Sequence, residues 1–421
     1  MSTLVDRILA CAPTQHALRG PWGELSQAMM ADAVAALAER LRQERIRVLA
    51  TLLDNGPAWV LIDLATMRAG VTHVPLAGFQ TPEQWQHIIE ASGADAAICA
   101  QTFMPWTASP LSIQGEQLQL MRRSCDPRIG KGIAKLSFTS GSTGTPKGIQ
   151  LREAEMLAVA TSIADALGPM PIELHQCLLP LAVLLENVTG IYAPLLAGAA
   201  IDLRPCATLG LQGASAFAPQ MLDTVIRENA AQSLILLPQM LRAWTGWLAR
   251  QRRQAPGSLR FVAVGGAPVG AGNLARARAL GLPAYEGYGL TEGASVQTLN
   301  LPGGDRPGSA GRALAHCRVR CRDDGEIEIA GSLALGEVGS PPPANDAWLP
   351  TGDLGSIDDD GFVWIDGRKK NLFITGFGRN VAPEWVESAL ENHPALAPVF
   401  GEGLQAPVVW TFLARQPSMM R

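Results

Sequence analysis

The stretch SFTSGSTGTPKGIQL, residues 137–151, contains three glycines, six serines or threonines and one lysine. Glycine lets successive backbone N–H groups approach an anion, and hydroxyl groups add hydrogen-bond donors. Lys147 adds a positive charge, so the composition favours a polyphosphate ligand. The spacing is not that of the G-x-x-x-x-G-K-[ST] loop, because Lys147 does not directly follow a glycine and no hydroxyl residue follows it. By itself, the stretch is compatible with a phosphate-binding loop or with a polar linker.

The chain before this stretch alternates between short apolar runs and segments with helical spacing. Such alternation predicts a parallel sheet wrapped by helices. In the second predicted helix, Thr81 and Gln84 occupy the positions of a capping box. The segments are RVLATLL (47–53), NGPAWVLIDLATMRAG (55–70), VTHVPL (71–76), TPEQWQHIIEASGA (81–94), DAAICA (95–100) and the apolar lead-in GIAKLSF (132–138).

Length and composition narrow the class of protein. The chain has 421 residues, 47% of them hydrophobic and 17% charged, which is typical of a globular enzyme with two or three subdomains. The net charge of −4 disfavours nucleic acid as a partner. The seven cysteines form no C-x-x-C pair, which favours reduced thiols and a cytoplasmic location. The most apolar segment, residues 178–203, contains two prolines and a glutamate, so we expect buried core and no integral membrane span.

Two later stretches extend the pattern that begins with residues 137–151. They are YEGYGLTEGASV (285–296) and LPTGDLGSIDDDGFVWIDGRKKNLFITGFGRNVAPEWVE (349–387). The ordered motifs TSGSTGTPKG, YGLTE, TGD and GRKK closely resemble the ANL superfamily. This superfamily comprises adenylate-forming enzymes such as acyl-CoA synthetases, nonribosomal peptide adenylation domains and luciferases. The resemblance extends from about Leu18 to Glu391.

The resemblance implies an α/β fold in two domains. Residues 1–367 would form a large N-terminal domain of stacked mixed or parallel β-sheets wrapped by helices. Residues from about 309 to 367 would add a small β-barrel-like part. Residues 368–421 would form a truncated, small α+β C-terminal domain, with Lys370 at the hinge.

The resemblance also implies an ATP site with Mg²⁺. Thr291 would contact the α-phosphate, and Glu292 would hold Mg²⁺ through a hard oxygen. Tyr288 and the adjacent Gly289 would lie at the adenine, and Asp353 and Arg368 would contact the ribose. The catalytic residues would be Thr139, Lys147, Thr291 and Glu292. The predicted phosphate cradle consists of Thr139, Ser140, Gly141, Ser142, Thr143, Gly144 and Lys147, and the GGAP segment beside adenine and the acyl tunnel contributes Gly265, Gly266 and Ala267.

Simpler structural roles remain open for several of these residues. Asp353 is also compatible with a turn. Glu292 is also compatible with the first turn of a helix, where a carboxylate is favourable. Tyr288 is compatible with the core, and the GGAP segment with an ordinary turn at the end of a strand.

The predicted acid pocket is apolar, with Val183, Leu185 and Pro238 in its wall. Relatives of this kind have a histidine where this chain has Val183. Relatives that activate amino acids place an aspartate near Leu184 or Leu185 to pair with the ammonium group. A buried ammonium without a carboxylate is costly, so an apolar acid is favoured over an α-amino acid. We expect a medium-chain or long-chain fatty acid in preference to an aryl acid.

The implied reaction converts the acid to acyl-AMP with release of pyrophosphate and then transfers the acyl group to a pantetheine thiol. The thiol would belong to CoA or to an acyl carrier protein. Members of the superfamily use a lysine late in the C-terminal domain for adenylation, but no lysine follows Lys370 here. Three alternatives follow: a ligase that tolerates the loss, an enzyme that depends on a partner chain, or a non-catalytic relative that binds nucleotide or acyl-adenylate.

Overall fold

The structure is a computed structural model that describes residues 2–10, 16–125, 128–139, 146–213, 216–344, 346–371, 373–374 and 380–381. Its strands, in chain order, are β1 (Leu18–Gly20), β2 (Gly23–Leu25), β3 (Val48–Leu52), β4 (Thr72–Pro75), β5 (Ala96–Cys99), β6 (Thr107–Ile113), β7 (Glu116–Arg122), β8 (Lys135–Thr139), β9 (Lys147–Leu151), β10 (Leu174–Gln176), β11 (Ala200–Asp202), β12 (Leu211–Gln212), β13 (Ala216–Phe217), β14 (Ser233–Leu236), β15 (Phe261–Val264), β16 (Ala284–Leu290), β17 (Ser295–Leu299), β18 (Arg312–Ala313), β19 (Cys317–Cys321), β20 (Glu326–Gly331), β21 (Leu349–Ile357), β22 (Val363–Arg368), β23 (Phe373–Ile374) and β24 (Asn380–Val381).

The helices lie mainly between the strands of the first three hundred residues. Short turns of other helix types also occur: a π-helical turn at Asn187–Tyr192 and 3₁₀ turns at Cys206–Leu209, Thr291–Gly293 and Lys369–Asn371. The α-helices are α1 (Leu4–Ala10), α2 (Gln27–Gln43), α3 (Pro57–Ala69), α4 (Pro82–Ser92), α5 (Glu153–Leu167), α6 (Leu184–Glu186), α7 (Ala193–Leu196), α8 (Pro219–Asn229), α9 (Pro238–Arg250) and α10 (Ala271–Ala279). Among the described helices, none is both long and apolar enough to cross a membrane.

The first large sheet has seven strands in the order β6-β7-β5-β3-β4-β8-β9. Its central strands β5, β3, β4 and β8 are parallel, as the alternation of apolar runs and helices predicts. Thr81 caps α4 in a capping box with Gln84, which confirms that prediction as well. Pro57 begins α3, and Gly70 ends it in the left-handed conformation with φ 72°. These local signals set the lengths of the helices that cover the sheet.

The second large sheet has nine strands in the order β18-β17-β16-β15-β14-β10-β11-β1-β2. The strands from β16 to β1 are parallel, and the segments at both edges are antiparallel. An apolar core joins the two sheets through α3 and α5. It contains Leu49 of β3, Leu61 of α3, Met156 of α5, Ile201 of β11 and Leu299 of β17. The predicted α/β class with stacked, helix-covered sheets is therefore confirmed.

A third sheet contains β19, β20, β21 and β22, all antiparallel. It begins at Cys317, within the region expected to be rich in β-structure. The chain between β20 and β21 returns to the first sheet, where Leu335 N donates to Gln150 O at 2.8 Å. The domain boundaries at residues 309 and 368 stay predictions, and residues 382–421 lie outside the described residues.

Candidate active site

A cleft of about 430 Å³ lies between the two large sheets. Thr139, the last residue of β8, and Thr291, which follows β16, both line it. Gly266, Gly289 and Val183 lie in the same wall. The carboxyl ends of parallel strands are the usual place for a ligand in open α/β sheets. The structure thus brings together five residues that the sequence assigns to phosphate, adenine or acid binding.

The predicted phosphate loop connects β8 to β9. Thr139 and Lys147 face each other across this antiparallel pair, so the loop begins and ends at the cleft. Residues 140–145, which include Ser140, Gly141, Ser142, Thr143 and Gly144, lie outside the described residues. Gly148 leaves room for the Phe138 ring, because a Cβ atom there would lie 2.8 Å from Cζ of Phe138, and the ring would have to shift.

Lys147 has a partner that the sequence does not suggest. Its Nζ lies 2.9 Å from Oε1 of Glu337, and both side chains are about half exposed. The backbone beside Glu337 runs along β9, where Val338 N donates to Gly148 O at 2.8 Å. An anion that binds Lys147 would therefore compete with Glu337 for the lysine charge.

Tyr288, Asp353 and Arg368 form one connected group. The Tyr288 hydroxyl donates to Oδ2 of Asp353 at 2.6 Å. Arg368 Nε lies 2.7 Å from Oδ1 of the same carboxylate. Burial and the adjacent Asp353 raise the pKa of Tyr288 well above its usual range, so the phenol remains a donor. A carboxylate oxygen can accept more than one hydrogen bond.

The position of Asp353 bears on its alternative role as a turn residue. Asp353 lies within β21, opposite Arg368 of β22, and only 4% of it is exposed. A buried carboxylate needs paired donors. Its place within a strand argues against a role in a turn, and its role in binding ribose stays a prediction.

The GGAP segment lies close to the end of β16. A Cβ atom on Gly265 would lie 3.0 Å from the carbonyl oxygen of Gly287, and Gly266 has φ 84°. A Cβ atom on Gly289 would lie only 1.9 Å from the Ser295 carbonyl oxygen. Gly265 thus lets the GGAP segment pack tightly against the end of β16, and glycine at position 289 is required where β16 turns back into β17. Ala267 is exposed on the same segment.

Glu286 supports this segment and was not identified from the sequence. Its Oε1 accepts a hydrogen bond from Val269 N at 3.1 Å, just after GGAP. Its Oε2 has no partner among the described residues. Burial raises the pKa of Glu286 to about 7. In the sequence, the only signal for this role is that Glu286 is a single carboxylate within the residues that form β16.

Glu292 lies in the short 3₁₀ turn beside the cleft and is half-buried. Its backbone oxygen accepts from Ala334 N at 2.8 Å. Its carboxylate makes no hydrogen bond or ion pair with the described residues. A three-residue turn has no helix dipole to favour a carboxylate, which weakens the helix-start alternative. The described residues form no cluster of three or more metal-ligating side chains. A single free carboxylate fits Mg²⁺, which takes one or two protein carboxylates and completes its shell with water and phosphate oxygens.

A second, apolar cavity of about 310 Å³ adjoins the cleft. Leu185 and Val296 belong to the walls of both cavities, and Gly265 lines the second beside Gly266 of the first. Of the residues predicted for the acid pocket, Val183 lines the cleft and Leu185 lines both cavities. Pro238 lines neither, because it lies buried in the first turn of α9. The predicted role of Pro238 therefore gains no support from these cavities.

Lys370 is exposed in the 3₁₀ turn Lys369–Asn371, directly after β22. The neighbouring Lys369 pairs with Asp324 and Glu326, each at 2.9 Å. The role of Lys370 as a hinge stays a prediction.

A buried polar network lies beneath the cleft, at the start of β8. Lys135 Nζ lies 2.7 Å from Oδ1 of Asp63 in α3, and it donates to the Tyr192 hydroxyl at 2.8 Å. Asn187 donates to the other Asp63 oxygen at 3.0 Å, and His73 Nδ1 lies 2.6 Å from Oδ1. Burial raises the pKa of Asp63, but the contacts with Lys135 and His73 outweigh it and lower that pKa overall. The network fixes β8 relative to α3 and the π-helical turn. In the sequence, its signal is a single charged residue in an apolar segment, Lys135 in one and Asp63 in another.

The fold and site define an α/β protein with a polar cleft between two sheets and an apolar cavity beside it. The sequence profile of the AMP-binding enzyme family matches residues 5–339. The chain therefore belongs to this family and to the ANL superfamily of adenylate-forming enzymes, as the motifs predicted.

Several curated relatives match most of the chain. A long-chain-fatty-acid–CoA ligase of Mycobacterium bovis is 25% identical over 96% of this chain and 79% of its own length. An indoleacetate–CoA ligase of Aromatoleum aromaticum is 28% identical over 95% of this chain and 84% of its own. A 2-succinylbenzoate–CoA ligase of Bacillus velezensis is 30% identical over 65% of this chain and 56% of its own. These relatives agree with the predicted enzyme class, an AMP-forming acid–thiol ligase.

Solved structures show the same fold. The o-succinylbenzoate CoA synthetase of Bacillus subtilis in complex with ATP and magnesium ion has a TM-score of 0.74. It is 24% identical, over 94% of this chain and 86% of that one. ATP-bound MatB of Rhodopseudomonas palustris has a TM-score of 0.78 at 22% identity, over 94% of this chain and 84% of that one.

Proposed function

We propose that the protein uses ATP to activate an apolar carboxylic acid and transfers the acyl group to a pantetheine thiol. A carboxylate oxygen attacks the α-phosphorus of ATP, the bond to the β-phosphate breaks, and pyrophosphate leaves. The thiol sulfur then attacks the acyl carbon, AMP leaves with the bonding electron pair, and the thiol proton goes to solvent. The observation that carries the proposal is the contact between the two cavities at Leu185 and Val296.

Thr139 and Thr291 of the cleft and the predicted site residues around it take distinct roles in this proposal. Thr139 and Lys147 bind phosphate oxygens, because they flank the loop between β8 and β9, and Thr291 binds them because it lines the same cleft as Thr139. Asp353 and Arg368 hold the ribose, and Tyr288 orients Asp353. Positioning and charge stabilisation dominate phosphoryl chemistry, so such contacts suffice for much of the rate. Mg²⁺ would be held by Glu292 and the phosphates, where it would neutralise charge on the leaving pyrophosphate.

The volume of the apolar cavity limits the size of the acid that it can hold. An engineered apolar cavity of about 150 Å³ binds one benzene molecule. The cavity beside the cleft, at about 310 Å³, is about twice as large. It fits a medium-length alkyl chain, which agrees with the fatty-acid preference expected from the sequence. It also fits an aryl acid with a side chain, and the indoleacetate and 2-succinylbenzoate ligases among the relatives favour that second candidate.

The acceptor proposed first is CoA, since the relatives are CoA ligases. A phosphopantetheinylated acyl carrier protein is the alternative acceptor. The purified protein should release pyrophosphate and AMP from ATP only when a suitable acid is present. Release of ADP and phosphate would contradict the proposal. Binding of ATP without turnover of any acid, from acetate to palmitate or benzoate, would favour a binding protein or one that depends on a partner chain.

A further inference from the structure

The apolar cavity runs along the parallel strands β10, β14 and β15. Its wall begins at Val264 and Gly265, at the carboxyl end of β15 beside the cleft. It continues to Phe261 and Ser233, which are the first residues of β15 and β14, and to Glu173 just before β10. Four residue steps along β15, at about 3.3 Å each, span about 13 Å. The cavity therefore runs beside the sheet from the carboxyl end of β15 to the amino ends of β15, β14 and β10, and we call it the channel.

The far end of this channel reaches the protein surface. Gly168 and Pro171, after α5, line the channel and are exposed. Glu173 and Ala197, which follows α7, are also exposed lining residues. We call these four residues the rim. The backbone of the rim is held in place, since Arg260 Nη1 donates to Pro171 O at 2.7 Å.

The wall of the channel suits an uncharged chain. Glu173, at the rim, is its only carboxylate among the described residues. Two of its polar side chains pair with each other, because His175 Nδ1 lies 2.9 Å from Ser233 Oγ. The Thr189 hydroxyl donates to Leu185 O, and His175 Nε2 has no hydrogen-bond partner among the described residues. An alkyl chain in the channel therefore meets mainly apolar, uncharged surface until it reaches the rim.

We propose that the channel is open at both ends, so that the alkyl end of a long acid leaves the protein at the rim while its carboxylate is in the cleft. This inference rests on the proposed function and narrows its substrate to acids with an unbranched chain. Activity then rises with chain length while methylene groups fill the channel and stays level for longer chains. A closed pocket would instead reject acids that outgrow it, because overfilled cores force side chains and backbone to shift.

The experiment measures kcat/KM by pyrophosphate release with octanoate, laurate, palmitate and stearate. Ala197→Trp places a large ring at the rim, and Ala197→Met is a smaller block. Ala207→Trp is the matched control, because Ala207 is exposed on a turn outside the channel. We expect level activity from laurate to stearate in the unmodified protein and the control. We expect Ala197→Trp to retain octanoate activity and to lose about tenfold or more on palmitate, since excluding two methylene groups from apolar surface has about that effect.

A decline beyond laurate in the unmodified protein, or an unchanged profile in both Ala197 variants, would overturn the proposal. A second measurement does not need turnover: palmitate with pyrene at its alkyl end is titrated against each protein, and fluorescence anisotropy reports binding. Binding that Ala197→Trp blocks and Ala207→Trp retains supports an open channel. If no acid causes release of pyrophosphate, the proposed function fails, and this titration alone then tests whether the channel is open. If the labelled palmitate does not bind, or if it binds equally to all variants, the proposal of an open channel is wrong.

Discussion

Replacing Asp353 by alanine should weaken ATP binding more than replacing its partner Tyr288 in the proposed ribose site. The carboxylate is buried and already holds Tyr288 at 2.6 Å and Arg368 at 2.7 Å, so its position is set before ATP binds. A hydrogen bond to a charged group contributes about 1.5–3 kcal/mol. Losing the ribose contacts should therefore reduce affinity by on the order of 2–3 kcal/mol, about 30-fold to 150-fold in Kd.

Calorimetric titration of ATP in the presence of Mg²⁺ checks this value. Asp359→Ala is the matched control, because Asp359 is an exposed carboxylate in the turn after β21. Tyr288→Phe removes only the phenol hydroxyl that donates to Asp353, and it should weaken ATP binding by less. Thermal unfolding of each variant separates a loss of affinity from a loss of fold. An unchanged ATP affinity in correctly folded Asp353→Ala protein would remove Asp353 from the site and refute the assignment of this cluster.

Three further predictions concern residues around the cleft. Replacing Glu337 by Gln removes the ion pair with Lys147 and should strengthen pyrophosphate binding at low salt. The gain in affinity should be less than about fivefold, because an exposed ion pair contributes only about 0.2–1 kcal/mol. In a titration at high salt, the variant and the unmodified protein should bind pyrophosphate equally. Burial raises the pKa of Glu286 to about 7, above its ordinary 4.5. The free energy of unfolding of the unmodified protein should therefore fall as the pH rises from 4.5 through 7, because the folded state binds the proton more tightly than the unfolded state. Urea unfolding should show that the free energy of unfolding of Glu286→Gln rises by on the order of 3 kcal/mol relative to that of the unmodified protein between pH 5 and pH 8. Replacing Lys135 by Met leaves Asp63 buried without its cation and should lower the free energy of unfolding by about 3–5 kcal/mol. The double replacement with Asp63→Leu should lower it by less than Lys135→Met alone. A loss in the double variant equal to the sum of the two single losses would show that the residues act independently.

Much of the architecture could be predicted because its signals are local. Thr81 and Gln84 lie three residues apart, and a capping box requires only that separation. The apolar runs that become β3, β4 and β5 are buried on both faces, which is the pattern of central parallel strands. The order of the four motifs predicted the family and the residues that the cleft brings together. The roles predicted for residues 140–145 and for the C-terminal region stay predictions.

The partners of the site residues depend on contacts between distant parts of the chain. Glu337 reaches Lys147 across 190 positions, and Asp353 reaches Tyr288 across 65. No periodicity or spacing encodes such pairs, because they depend on how the third sheet packs against the first two.

By itself, the sequence determined the family, the strand–helix alternation and the composition of the phosphate loop, since these depend on residue type and short separations. Only the tertiary structure decided that Leu185 belongs to both cavities while Pro238 belongs to the core. It alone also decided that the apolar cavity follows the full length of β15 to exposed residues at its far end. The physical reason is that apolar side chains look alike in sequence, and only the packing of helices on a sheet determines which of them enclose a space and which fill one.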